Sequence, residues 1–124
     1  MAELLFKEES FKIIGICMEI QKTLGMGLKE INYKDAMEIE FIDNNISYER
    51  EKRFSVNYKE RVLRNPYAAD FIVYDSIILE IKSAIAIIEN HTYQALSYLS
   101  VSQKKLGMVI NFGEKSLTWK RIVF

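Results

Sequence analysis

The stretch from Asp70 to Lys82, DFIVYDSIILEIK, constrains this chain more than any other. Two short apolar runs meet at a turn, Tyr74-Asp75-Ser76, which predicts an antiparallel hairpin. Three charged residues, Asp70, Glu80 and Lys82, interrupt it where a purely structural hairpin has no use for them. Side chains alternate between the faces of a strand, so Glu80 and Lys82 share one face and Ile77, Leu79 and Ile81 the other. The place of Asp70 depends on register. A two-residue loop sets it across from Ile81, whereas a three-residue loop or a bulge sets it across from Glu80. Only the second makes a site, and two carboxylates with an ammonium on a half-buried sheet are costly without a task.

The rest of the chain can support one core. Its 124 residues predict a single domain over 1–124, and 49% hydrophobic with 27% charged residues is an ordinary globular mixture. The formal net charge is zero, so a nucleic acid would be met through a local patch, a dimer or a partner subunit rather than a basic coat. One cysteine, Cys17, excludes an internal disulfide and a cysteine zinc site. No secretory signal or bilayer-length apolar run is present, which sets cytoplasmic as the expected location and no membrane as a partner.

Helical spacing predicts a first helix from Glu8 or Ser10 to Leu24, burying Phe11, Ile14 and Met18 with Cys17, Ile13, Ile20 and Leu24 beside them. Gly25-Met26-Gly27 ends it. A second helix is expected from Leu28 to Asp43 or Asn44, burying Ile31, Ala36, Ile39 and Phe41 or Ile42. Ile46–Tyr58 reads as a strand, Arg61–Leu63 as its short return, and the hairpin follows Pro66. Ser83–Ile88 is open between strand and loop. A third helix spans Glu89 or Asn90 to Ser102, and Lys105–Phe112 and Leu117–Phe124 read as a final strand pair. The whole is a mixed α/β arrangement.

The charged positions suit a hard divalent cation. Mg²⁺ or Mn²⁺ takes one or two carboxylates and keeps water for substrate phosphates. Asp70 and Glu80 meet that demand, with the Ile81 carbonyl as a further oxygen. Lys82 is placed to hold or deprotonate an attacking water, or to neutralise charge building on a phosphate. Against this, E-x-K on a strand is common as a plain ion pair. On the second helix, Gly27, Glu30 and Tyr33 follow at three-residue steps, so Glu30 could reach the same ion and Tyr33 could bond a carboxylate. The plainer reading makes them a turn, a first-turn acid and a core ring. His91, Gln94 and Tyr98 share a face of the third helix, where Gln94 and Tyr98 can donate to phosphate or steady a carboxylate. His91 sits near a helix N-terminus and has a supporting role at most.

Taken together, these constellations resemble one family. Gly27-Leu28-Lys29-Glu30-Ile31-Asn32-Tyr33 matches the signature of the GxxExxY proteins, a branch of the PD-(D/E)XK nuclease-like superfamily. The likeness extends through Ala68-Ala69-Asp70, Leu79–Lys82, His91–Leu99 and Leu106–Gly113. Pro66 stands four residues before Asp70 rather than beside it. The resemblance implies a restriction-endonuclease-like αβββαβ core with an extra N-terminal helix and C-terminal strand. It implies Asp70 and Glu80 as metal ligands, Lys82 as the catalytic lysine, and Glu30 as the acid on the preceding helix. Gln94 and Tyr98 look like the Q-x-x-x-Y pair of RecB-like nucleases. The implied activity is a metal-dependent phosphodiesterase acting on nucleic acid, DNA ahead of RNA. The alternative is a non-catalytic nucleic-acid- or protein-binding module that keeps the fold. An exposed edge near Leu117–Phe124 offers a place for a homodimer contact.

Overall fold

The computed structural model describes residues 4–124. Three helices and seven strands follow in the order α1 (Lys7–Leu24), α2 (Glu30–Asp43), β1 (Tyr48–Phe54), β2 (Asn57–Tyr58), β3 (Arg61–Val62), β4 (Tyr67–Val73), β5 (Ile77–Lys82), α3 (Glu89–Ser102), β6 (Leu106–Asn111) and β7 (Thr118–Val123). Five strands form one mixed sheet in the order β1-β4-β5-β6-β7, and β2 and β3 form a separate ribbon. Only β5 and β6 run parallel. Parallel neighbours need a long crossover, and α3 supplies it. The expected αβββαβ core is thus α2-β1-β4-β5-α3-β6, with α1 in front and β7 behind.

Each face of the sheet carries its own core. Ile77, Leu79 and Ile81 of β5 join Ile13, Cys17, Ile20, Tyr33, Met37 and Phe41 on the α1–α2 side. Ile78 joins Ala95, Leu99, Val109 and Ile122 on the α3 side. Alternation therefore puts Glu80 and Lys82 on the α3 side as well.

The helices are rotated relative to expectation. In α1, Phe11 and Met18 are exposed, as is Leu24, and the buried stripe is Ile13, Ile16, Cys17, Ile20 and Gln21, with Ile14. In α2, Tyr33, Met37 and Phe41 are buried while Ile31, Ile39 and Ile42 face solvent. Both helices carry two apolar stripes, and periodicity alone does not say which one a sheet will cover. The strand expected over Ile46–Tyr58 is interrupted after Phe54, because its continuation leaves the sheet to pair as the β2–β3 ribbon. Ser83–Ile88 contains no strand.

One irregularity positions the functional residues. On β4, Phe71 and Val73 face the α1–α2 core, but Tyr67 and Ala69 belong to the α3 core. The alternation slips at Asp70. On β1 the same slip separates Tyr48, on the α1–α2 side, from Phe54, on the α3 side. Glu51, between the paired residues Arg50 and Lys52, has a left-handed φ of 54°. Two neighbouring strands thus turn over at one level, and Asp70 lies on that level.

Candidate active site

The β4–β5 turn decides the register. Val73, Ile72 and Phe71 pair with Ile77, Ile78 and Leu79, which leaves a three-residue loop, Tyr74-Asp75-Ser76. Tyr74 and Asp75 are left-handed, at φ 56° and 53°, and the Ser76 N–H closes the turn on the Val73 carbonyl at 3.1 Å. One step further along this register, Asp70 stands opposite Glu80. There the ladder opens: the Ile81 N–H donates to Asp70 Oδ2 at 2.7 Å. The backbone N–H and C=O of one strand residue point the same way, so the Ile81 carbonyl also faces this opening.

Asp70 and Glu80 present their carboxyls to one another, held by different partners. Asp70 Oδ1 accepts from Lys34 Nζ at 3.1 Å, and the same ammonium bonds Glu51. Glu80 is only 7% exposed, and its Oε1 accepts from the Tyr67 hydroxyl at 2.6 Å. Burial first, and the facing Asp70 carboxylate second, push the Glu80 carboxyl up to about 8, against the opposing pull of the Tyr67 hydrogen bond and the Lys82 ammonium. Burial and then Glu80 raise the Tyr67 phenol far above its ordinary range, which keeps it a donor. The Tyr67 ring is stacked between Phe54, at 5.9 Å, and Tyr98, at 3.7 Å between centroids. Burial and the Glu80 carboxylate likewise raise the Tyr98 phenol, and the Gln94 amide beside it acts the other way. Lys82 shares the face of Glu80 and, among the described residues, makes no ion pair.

The remaining sequence candidates fall into two groups. Tyr98 reaches the Glu80 side of the site from α3, stacked on Tyr67, and Gln94 lies beside Tyr98. Glu30 reaches the loop just past β5, where its Oε2 accepts from the Ser83 N–H at 3.2 Å. Tyr33 serves the fold instead: its hydroxyl donates to the Gly25 carbonyl at 2.6 Å and accepts from the Leu28 N–H at 3.3 Å, and its ring stacks on Phe112. No carboxylate takes that hydroxyl because the turn between α1 and α2 uses both of its hydrogen-bonding roles. Gly27 sits in that turn at φ 102°, where a Cβ is strained. His91 Nδ1 accepts from the Ile88 N–H at 3.2 Å, which ties it to the start of α3. Burial, then the nearby Lys82 ammonium, lower its pKa against the opposing pull of Glu30.

Two facing carboxyls, one of them buried and resisting ionisation, are the donor set that a hard cation relieves. Among the described residues no cluster of three or more His, Cys, Asp or Glu side chains is gathered for a metal. A pair of carboxylates is within what a hard divalent cation takes while keeping water in its shell. One residue of this site, Tyr67, and one contact, that of Lys34 with Asp70, escaped the sequence reading. Lys34 follows Glu30 by four positions on α2, hence on the same helical face, and that spacing was a usable signal. Tyr67 gave none, since its role depends on the slip at Asp70.

Known proteins resemble this chain in sequence pattern and in fold. The family described as the PD-(D/E)XK nuclease superfamily matches over residues 7–122. No curated protein matches the chain. Among solved structures, the crystal structure of SSO0001 superposes with a TM-score of 0.61 at 19% identity, covering 95% of this chain and 59% of that one. This likeness is one of fold.

Proposed function

This chain belongs to the PD-(D/E)XK nuclease superfamily, and from that premise we propose that it hydrolyses phosphodiester bonds of nucleic acid, DNA ahead of RNA, with Mg²⁺ or Mn²⁺. The observation that carries the proposal is the Asp70–Glu80 pair facing one another beside Lys82. In this reading Asp70, Glu80 and the Ile81 carbonyl hold the ion, which supplies Lewis acidity and a more acidic attacking water. Lys82, free of any ion partner among the described residues, orients that water or neutralises the phosphate as charge builds on it. Tyr67 and Tyr98 fix Glu80 from the α3 side. Gln94 offers its amide to a phosphate oxygen, and Glu30 steadies the chain just after Lys82 through Ser83. Gly27, Glu30 and Tyr33 support placement in the GxxExxY branch. The unpaired edge of β7, with Trp119 and Val123 exposed, suits a second copy. No described helix is long and apolar enough to cross a membrane.

Cleavage of linear and circular, single- and double-stranded DNA in Mn²⁺ tests the proposal, with Lys82→Ala as the control. Metal-dependent cleavage by wild type and its loss in Lys82→Ala, at unchanged stability and Mn²⁺ binding, is the expected result. A non-catalytic binding module is the second reading, favoured by the Lys34 ammonium already neutralising Asp70. Equal inertness of both proteins on every substrate decides for it.

A further inference from the structure

The β2–β3 ribbon is exposed along its whole length, so the core has no need of it. Its neighbourhood is charged unlike the rest of the chain. Residues 53–64 hold four cations (Arg53, Lys59, Arg61, Arg64) against one anion (Glu60), in a protein of zero net charge. All five are exposed, and among the described residues none forms an ion pair. Tyr58 is 60% exposed, with Lys59 Nζ 5.4 Å from its ring centroid.

The ribbon also points the right way. Tyr58 pairs with Arg61, and the Leu63 N–H extends the ladder to the Val56 carbonyl at 2.8 Å. Paired residues and those two positions on share a face, so Val56, Tyr58, Arg61 and Leu63 lie together. Val56 packs against the α3-side core, which orients that face toward the side of the sheet bearing Glu80 and Lys82. The chain re-enters the sheet at Tyr67, three residues or about 10 Å from Asp70.

Building on the nuclease reading, we propose that this ribbon is an arm that grips the nucleic acid strand next to the Asp70–Glu80 site. Tyr58 stacks on a base, and Arg61 and Arg64 take neighbouring phosphates. Stacking needs no base identity and the cations read only backbone, so the arm holds a strand without selecting sequence.

Fluorescence anisotropy of a labelled single-stranded oligonucleotide and its duplex, with Ca²⁺ replacing Mg²⁺, tests the arm. The double variant Arg61→Ser/Arg64→Ser should bind about tenfold more weakly at low salt, and its log K against log salt slope should flatten by roughly 1.5, about 0.7–0.9 per phosphate lost. Tyr58→Ala should weaken the single strand by roughly fivefold or more and the duplex less. Melting temperature and Mn²⁺ binding should match wild type, since Tyr58, Arg61 and Arg64 are exposed and belong to neither the core nor the carboxylate pair. Unchanged affinity and slope in these variants, or no oligonucleotide binding by wild type, overturns the proposal. Wild-type binding with these losses but without cleavage in Mn²⁺ supports the arm while removing the catalytic reading.

Discussion

Lys34 Nζ stands 3.1 Å from Asp70 Oδ1 and also bonds Glu51, so the carboxylate at the slip in the sheet already carries a cation. Burial works against the charged lysine, but Glu51 and Asp70 outweigh it and raise its pKa. A divalent ion bound at Asp70 and Glu80 meets this ammonium as a like charge and competes for the same oxygen. Lys34→Met should therefore act in opposite directions with and without metal. Without it, Asp70 loses its counter-ion beside Glu80, at a cost of about 1–2 kcal/mol, discounted for partial exposure. With it, Mn²⁺ should bind about fivefold more tightly, a gain of about 1 kcal/mol from relieved repulsion. Melting in EDTA and calorimetric titration with Mn²⁺ measure the two. Weaker Mn²⁺ binding in Lys34→Met would make the lysine an organiser of Asp70 rather than a rival of the ion.

The sequence carried the ends of this arrangement better than its middle. Glu80 and Lys82 follow from alternation on one short strand, and Asp70 from a loop length that had only two sensible values. The element order was legible because Gly25, Gly27 and Pro66 punctuate it. Two things were not. The choice between apolar stripes on α1 and α2 needs the sheet itself, since Phe11 and Ile39 are as hydrophobic as the residues buried in their place. The face reversal at Glu51 and Asp70 has no local signature, because neither residue type announces a left-handed or slipped position. Tyr67 was invisible for that reason: counted by simple alternation from Phe71, it lands on the wrong side of the sheet.

Tyr67 is where that reversal has chemical effect. Its hydroxyl donates to Glu80 Oε1 at 2.6 Å while its ring is stacked on Tyr98. Tyr67→Phe keeps the stack and removes only the donor. Partners that orient a metal ligand are worth about 10–100-fold in affinity or activity, and the Tyr67 hydroxyl holds Glu80 from the buried side of the sheet. Mn²⁺ affinity should fall about tenfold, with the melting temperature in metal changed less than in Lys34→Met without it. Calorimetry on Tyr67→Phe and Tyr98→Leu separates the donor from the stack. Equal losses in both would assign the effect to packing.

The Glu80 carboxyl gives the metal-free protein a pH dependence of defined sign. Its folded pKa, pushed up to about 8 by burial and then by Asp70, lies above the ordinary carboxylate value near 4.5. The folded state thus holds the proton more tightly than the unfolded chain. The stabilisation is complete below about pH 4.5 and is lost as pH rises through about 8. Melting temperature in EDTA should fall between pH 5 and 8 from this group, and Glu80→Gln should flatten the fall. Binding of Mn²⁺ below pH 8 should release a proton, read from titrations in buffers of different ionisation enthalpy. No difference between those buffers would remove Glu80 from the ligand set.

The loop after β5 joins this chemistry to the fold. Asn111 donates to the Ala84 carbonyl and accepts from its N–H, both at 2.9 Å, which clamps the loop to β6. Gly113 lies so close that a Cβ there would overlap the Ala84 backbone N and O. That backbone cannot give way alone, because Ser83 is bonded by Glu30 through its N–H and to the Leu28 carbonyl through its hydroxyl. Gly113→Ala should cost roughly 3 kcal/mol, read as a lower melting temperature. It should also displace Ser83 and with it Lys82, so cleavage should fall further than the folded fraction explains. Gly15, mid-helix in α1 with nothing within 4 Å of where a methyl would stand, is the control: Gly15→Ala should stabilise by about 0.5–1 kcal/mol at unchanged activity. Loss of activity in Gly113→Ala that only tracks unfolding would show that the clamp holds the fold together without aiming Lys82.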